Sequence, residues 1–283
     1  MQIVLNWHLT EQCNYRCKYC FAQWGRCAEV WRDRDLTSAL LAELASWRQQ
    51  EILSPIILNG GESHCRINFV GGEPLMIGGR LTEIVQEASE QYGFKTSLIT
   101  NGSLLGRNLK IVSHLDLLGV SVDSFLVDTN RSIGRYSRTS QPLNYYDIKE
   151  LIQSVRERNP LIKIKFNTVV SQHNWTEVVI PEIAMLHPEK LKIFRQYPYL
   201  DQQGITDQMF KSFLKNNSVK QPYVFVEDNA AMQQSYLMID PSGRFFQNGN
   251  GEKYSFSQKI HEVGLPTALE QIKFNSEKYI QRY

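Results

Sequence analysis

The sequence predicts an α/β fold built on a parallel sheet, and three observations carry that prediction. Short, apolar, β-rich runs alternate with helix-like stretches over roughly the first two thirds of the chain, which is the pattern of successive βα units. Polar signals close several of these runs, as in Ile99-Thr-Asn-Gly-Ser103 and Ser121-Val-Asp-Ser-Phe125. Barrel folds of this kind place functional groups at such strand ends. The third observation is size: 283 residues, 42% of them hydrophobic, suit one large α/β domain or two small ones.

Taken in order, the strand-like runs are 2–9, 66–70, 95–100, 116–122, 162–170 and 190–196. Helix-like stretches cover 36–50, 80–92, 106–114, 145–158 and 176–187, the first capped by Thr37 or Asp35. The opening run Met1-Gln-Ile-Val-Leu-Asn-Trp-His8 lacks a basic n-region and a long apolar h-region, so it reads as a strand rather than a signal peptide. The stretch 51–65, with Gly60-Gly61, reads as an irregular surface insert. Beyond residue 200 the character changes: 223–226 and 235–240 read as strands, and Asp240-Pro-Ser-Gly243 is a turn signal before Arg244-Phe-Phe246. A core over 1–200 and a smaller α+β extension over 201–283, containing a hairpin and a substrate lid and packed on the core, are the expected organisation.

Composition excludes several function classes. Net charge is +2, which advertises neither a nucleic-acid surface nor a membrane surface. No run of about 18 apolar residues marks a membrane span. A cytoplasmic, reducing setting is expected, and it suits what the cysteines suggest.

Cys13, Cys17 and Cys20 stand in Thr10-Glu-Gln-Cys-Asn-Tyr-Arg-Cys-Lys-Tyr-Cys20, spaced C-x3-C-x2-C with Tyr19 just before the last. Four thiolates close a cubane iron–sulfur cluster, and three leave one iron without a protein ligand. An open position lets a metal centre do chemistry rather than hold a fold. The alternatives are unconnected thiols or a structural zinc completed by a histidine such as His8. Structural zinc usually shows two separated ligand pairs, whereas this triplet is compact and no second pair follows. Cys27 and Cys65, the other two cysteines, read as packed or surface thiols.

Three further stretches carry chemistry. Asn68-Phe-Val-Gly-Gly-Glu-Pro74 follows the second strand; its glycines allow close backbone approach and Glu73 offers an acceptor for an ammonium group, though the same letters could be a tight turn. Asn101-Gly102 closes the third strand and Ser121 the fourth, with turn chemistry as the plain alternative. In the fifth strand Ile162, Ile164 and Phe166 alternate with Lys163, Lys165 and Asn167, and in the sixth Leu191 and Ile193 alternate with Lys190, Lys192 and Phe194. Enclosed charge needs a counter-charge, so Lys165, Lys192 and Arg66 suggest a polyphosphate. The alternative is an open sheet edge with its lysines in water.

The cysteine spacing, Tyr19 and the Gly-Gly-Glu-Pro stretch resemble the signatures of radical S-adenosylmethionine (radical SAM) enzymes. The resemblance is closer still to the viperin family and its prokaryotic members. It rests on Leu5-Asn-Trp-His-Leu-Thr-Glu-Gln-Cys13, Arg66-Ile-Asn-Phe-Val-Gly-Gly-Glu-Pro74, Ser121-Val-Asp-Ser-Phe125, Ile133-Gly-Arg135, Lys165-Phe-Asn-Thr-Val169, Lys192-Ile-Phe194 and Ser235-Tyr-Leu-Met-Ile-Asp240, in that order across the chain. It implies a partial, TIM-like (βα)6 barrel of the radical SAM type over 1–200. It also implies a 4Fe-4S cluster on Cys13, Cys17 and Cys20, and conversion of a ribonucleoside triphosphate (CTP, UTP or GTP) to its 3′-deoxy-3′,4′-didehydro analogue, a chain terminator in antiviral defence. S-adenosylmethionine would be held by Tyr19, Gly72, Glu73, Asn101, Ser121 and Arg135. The nucleotide would be held by Asn6, Arg66, Lys165, Asn167, Lys192, Glu227 and Asn229, with Tyr236 returning a hydrogen to the substrate. An electron donor such as flavodoxin or ferredoxin is the implied partner.

Departures from the family pattern limit the inference. Arg66 and Lys190 stand where the animal enzyme has lysine and arginine, and the sixth strand ends Phe194-Arg195 without the usual glutamine. No cysteine follows Cys65, so the extra C-terminal clusters of peptide-modifying relatives cannot form. A radical SAM enzyme acting on a peptide or small heterocycle, and a non-enzymatic zinc module, are the rival readings.

Overall fold

The computed structural model describes residues 3–22, 27–46, 65–198, 204–248 and 254–281. The strands run β1 (Ile3–His8), β2 (Cys65–Val70), β3 (Lys95–Thr100), β4 (Leu117–Ser121), β5 (Lys163–Val170), β6 (Lys190–Arg195), β7 (Val224–Glu227), β8 (Leu237–Ile239), β9 (Arg244–Gln247) and β10 (Ser255–Lys259). The principal helices are α1 (Arg34–Ser46), α2 (Gly79–Gln86), α3 (Val127–Ile133), α4 (Tyr145–Arg158), α5 (Ile180–Ala184) and α6 (Asp207–Asn216). They fold as two compact units: Met1–Gln12, Ala22–Leu98 and Ala231–Tyr283 in the first, Cys13–Phe21 and Ile99–Ala230 in the second.

In the first unit the strands lie in the order β10-β9-β8-β1-β2-β3. β8, β1, β2 and β3 are parallel, and β9 and β10 add antiparallel. One face of β1 and one face of β2 are apolar: Ile3, Leu5, Trp7, Ile67 and Phe69 are buried, as burial against covering helices demands. α1 begins at Arg34, ahead of both expected caps. Asp33 Oδ1 accepts the backbone N–H of Asp35 and Leu36 at 2.9 and 3.1 Å, so Asp33 is the cap. Thr37 instead turns its hydroxyl back onto the Val30 and Asp33 carbonyls. Of the expected insert, only Cys65 lies among the described residues, and it opens β2 as a buried strand residue rather than a loop residue.

In the second unit β4-β5-β6-β7 form a wholly parallel run. α4 matches the expected bounds because a full capping box starts it: Asn144 accepts from the Tyr146 and Asp147 N–H groups, and Asp147 accepts from Asn144 N–H. The expected helix at 176–187 shrinks to α5, whose entry is pinned by Asn217 Oδ1 accepting the Val179 and Ile180 N–H groups. The expected helix at 106–114 is two 3-10 turns instead. α6 was not anticipated; Thr206 caps it and Phe210 and Phe213 anchor it.

The C-terminal segment builds the expected hairpin. Asp240 Oδ1 accepts the N–H groups of Ser242 and Arg244, which closes the β8–β9 turn at Gly243. Among the described residues no helix is long and apolar enough to cross a membrane. Near the C-terminus the wholly buried Tyr279 ties back to β1: its hydroxyl accepts the Val4 N–H at 2.5 Å and donates to the Val4 carbonyl at 3.2 Å. Tyr279→Phe strips both bonds from a buried strand, so it should cost about 1–3 kcal/mol. A lowered thermal midpoint with unchanged secondary structure in circular dichroism is the expected result.

Candidate functional site

The cysteine loop belongs to the second unit. Cys13, Cys17 and Cys20 are half-exposed thiols outside any disulfide. The Tyr15 N–H and the Asn101 amide both point at Cys13 Sγ, at 3.4 and 3.9 Å. Arg16 gathers the Cys13 and Tyr15 carbonyls at 2.5 and 2.9 Å. Among the described residues, no three thiol, imidazole or carboxylate groups converge on a point that one metal ion would occupy. The donor set fits a cluster in which each thiolate serves a different iron: three thiols on one braced loop, with N–H groups directed at sulfur. Burial pushes the Cys17 thiol up to about 12, against the pull of Arg135, so metal ligation there must expel a proton.

Behind the loop stands a charged network that joins residues named separately from the sequence. Tyr19 Oη donates a hydrogen bond to Asp123 Oδ2. The Arg135 guanidinium lies 3.4 Å from the same oxygen, donates to the Ser121 carbonyl at 2.5 Å, and covers the Tyr15 ring. Burial and the Asp123 carboxylate both hold the Tyr19 phenol well above its ordinary range, so it stays a neutral donor. Burial opposes the Arg135 charge, but Asp123, Tyr19 and Cys17 together more than offset it. Gly134 makes the approach possible. It is left-handed (φ 94°), its carbonyl accepts the Arg16 N–H, and a Cβ there would lie 2.1 Å from the Arg16 oxygen. Asn101, Ser121 and Arg135 line one small cavity with Tyr15, Ser124 and Asn130. Asp123 is the residue that sequence reasoning missed, although alternation put it on the same side as Ser121.

Gly72 and Glu73 belong to the first unit. Gly72 N–H and Glu73 N–H donate to the Thr10 and Gln12 carbonyls at 2.6 and 2.7 Å. A Cβ on Gly72 would stand 2.3 Å from the Gln12 oxygen. The glycines, read as room for a ligand, are thus first a requirement of the chain's own packing against the segment that leads into Cys13. Glu73 is fully buried, and its carboxylate accepts the Leu75 N–H at 3.2 Å. Asn6, Asn68 and Ser97 sit in register on β1, β2 and β3 and form a polar ladder: Asn68 Nδ2 donates to Asn6 Oδ1 at 2.8 Å, and Ser97 Oγ to Asn68 Oδ1. Arg66, opposite Val4, flanks that row. Tyr236 is half-buried just before β8, its carbonyl bonded to Gln247 Nε2 at 2.7 Å.

The lysine strands are interior ones. β5 lies between β4 and β6, and β6 between β5 and β7, so the open-edge alternative is overturned. Burial deepens along them: Lys163 is exposed, Lys165 and Lys190 are half-buried, and Lys192 is 3% exposed. The expected counter-charge for Lys192 is in part a protein carboxylate, Glu227 Oε1, 2.6 Å from Nζ. Asn167, in register with Lys192, keeps its buried Oδ1 without a hydrogen-bond partner, and so does Asn229. His8, the candidate zinc ligand, is a packed imidazole edge-on to Phe246, lowered to about 3 by burial.

Comparison with known proteins fits this geometry. Residues 7–170 match the radical SAM superfamily. The structure of polyhistidine-tagged anSMEcpe with bound AdoMet superposes with a TM-score of 0.66 at 15% identity, over 99% of this chain and 84% of that one, a likeness of fold. An S-adenosylmethionine-dependent nucleotide dehydratase of Fibrobacter sp. (strain UWH6) is 39% identical over 99% of this chain and 88% of its own length. One of Pseudoalteromonas ulvae is 38% identical over 100% and 93%. The chain belongs to the S-adenosylmethionine-dependent nucleotide dehydratases, the viperin family, within the radical SAM superfamily.

Replacing Cys13, Cys17 or Cys20 by Ala should abolish the brown chromophore and S-adenosylmethionine cleavage after anaerobic reconstitution. Cys27→Ala and Cys65→Ala should retain wild-type iron and sulfide content. A fully loaded Cys17→Ala protein would contradict the assignment.

Proposed function

We propose that the chain converts a ribonucleoside triphosphate (CTP, UTP or GTP) to its 3′-deoxy-3′,4′-didehydro analogue, with the net loss of one water. The carrying observation is the near-full-length likeness to nucleotide dehydratases in a chain whose interior strands present Lys165, Asn167 and Lys192 on one face. The lack of any cysteine after Cys65 weighs against a peptide-modifying enzyme with further clusters.

Cys13, Cys17 and Cys20 would hold a 4Fe-4S cluster. When bound, it supplies, together with S-adenosylmethionine, one electron and a 5′-deoxyadenosyl radical that takes the ribose C4′ hydrogen. Glu73 would accept from the cofactor's amino group, and Gly72, Asn101, Ser121, Tyr19 and Arg135 would shape its site. Lys165, Lys192 and Arg66 would grip phosphate oxygens. Lys192 Nζ has three donors, so it would meet phosphate while Glu227 keeps its bond or turns to a substrate hydroxyl. The orphaned oxygens of Asn167 and Asn229 would accept from substrate hydroxyl or amino groups, because leaving them unmade costs about 1–3 kcal/mol each. Asn6 would complete that contact set, and Tyr236 Oη would hold the hydrogen that the substrate radical takes. A low-potential flavodoxin or ferredoxin would deliver electrons, in the cytoplasm where nucleoside triphosphates are made. Chain termination by the product is the proposed antiviral, antiphage use.

Removing the charge of Lys165 or Lys192 by Ala should weaken triphosphate binding. A charge-assisted contact is worth roughly 1.5–3 kcal/mol, about ten- to more than a hundredfold in affinity. Unchanged calorimetric titrations in both variants would remove the phosphate role.

Tyr236→Phe keeps the ring and loses only the hydroxyl. It should load its cluster and cleave S-adenosylmethionine but yield little didehydro nucleotide. Wild-type product per S-adenosylmethionine consumed would mean that another group supplies the hydrogen.

A further inference from the structure

Asp123 is almost wholly buried, 1% exposed, and its two carboxylate oxygens have separate duties. Oδ1 accepts the Val169 N–H at 2.8 Å, which stitches the end of β4 to β5. The residue's own carbonyl accepts from Asn174 Nδ2 at 2.8 Å, a second purely structural tie. Oδ2 faces the cysteine loop and the arginine: it takes the Tyr19 hydroxyl and lies 3.4 Å from Arg135 Nη1. Arg135 Nη1 also reaches Tyr19 Oη at 3.3 Å, so the three groups form a closed triangle. A guanidinium has five donors and no acceptor, and this one is 8% exposed. Its place is therefore set by the acceptors around it, and of Asp123, Tyr19 and the Ser121 carbonyl only Asp123 carries negative charge.

We infer that Asp123 is the positioning residue of the S-adenosylmethionine site: through Oδ2 it holds Arg135 and Tyr19 in the arrangement that the cofactor meets, while Oδ1 serves the fold. This rests on the reading of Arg135 as a cofactor ligand. Asp123 itself need not touch the cofactor; it acts through its two partners.

Asp123→Asn separates the two duties. The carboxamide oxygen still accepts the Val169 N–H, but a neutral NH2 donor then faces Arg135, which cannot accept. S-adenosylmethionine affinity, measured by equilibrium binding and scaled to iron content, should fall at least tenfold. Arg135→Gln should weaken binding comparably. Adding Asp123→Asn to Arg135→Gln should weaken it little further, because the carboxylate then has no arginine to position. The double variant should also recover, in the cluster-free protein, the thermal stability that Asp123→Asn alone loses by stranding a buried cation, so a poorly folding single variant does not end the test. Additive losses in affinity would make Asp123 merely structural and overturn the inference. Full affinity in Arg135→Gln would instead overturn the cofactor role of Arg135 itself, and with it the basis on which Asp123 was assigned.

Discussion

A carboxylate shut away from water must be ringed by donors, and the placement of the second unit's chemistry depends on how Asp123 meets that demand. Its donors come from three places in the chain: the cysteine loop (Tyr19), the turn after α3 (Arg135) and β5 (Val169). Buried charge is tolerated only when paired and fully hydrogen-bonded, so these groups cannot drift apart cheaply. The loop that carries Cys13, Cys17 and Cys20 is thus tied to strand ends rather than left to its own flexibility. Asn101 and Gly134 add shorter-range braces to the same loop. Pre-organisation of this kind is what a cofactor site needs if the protein's task is to orient and exclude water.

Strand periodicity was the most legible part of the fold. The alternation over Lys163–Val170 already separated Ile164 and Phe166 from Lys165 and Asn167, and burial follows that division. α4 was legible to the residue because its capping box is local. Features set by tertiary contacts were not. The Asp33 cap competed with equally plausible neighbours one turn along. α5 begins where Asn217, far along the chain, takes its first N–H groups. α6 carries a short apolar pattern, Phe210 and Phe213, too sparse to stand out before the Thr206 cap is seen.

The candidate site divides the same way. Cysteine spacing and the Gly-Gly-Glu-Pro stretch are visible because they are contiguous. That Asn101, Ser121 and Arg135 line one cavity is visible only in space. Asp123 stood within the polar end of the fourth strand but drew no role of its own, because its importance lies in what it holds rather than in what it resembles. Of the lysines expected to be enclosed, Lys192 is buried while Lys165 is half-buried, and the first anion at Lys192 is Glu227 of the chain itself. A triphosphate offers such an ammonium further charge-assisted acceptors.

The central claim is that these residues serve nucleotide dehydration. The most direct measurement is anaerobic turnover of the reconstituted protein with S-adenosylmethionine, a reductant and each of CTP, UTP and GTP, followed by mass spectrometry. 5′-Deoxyadenosine should appear together with a triphosphate product lighter than its substrate by one water, for at least one of the three. Ready cleavage of S-adenosylmethionine with every triphosphate returned unchanged would contradict it.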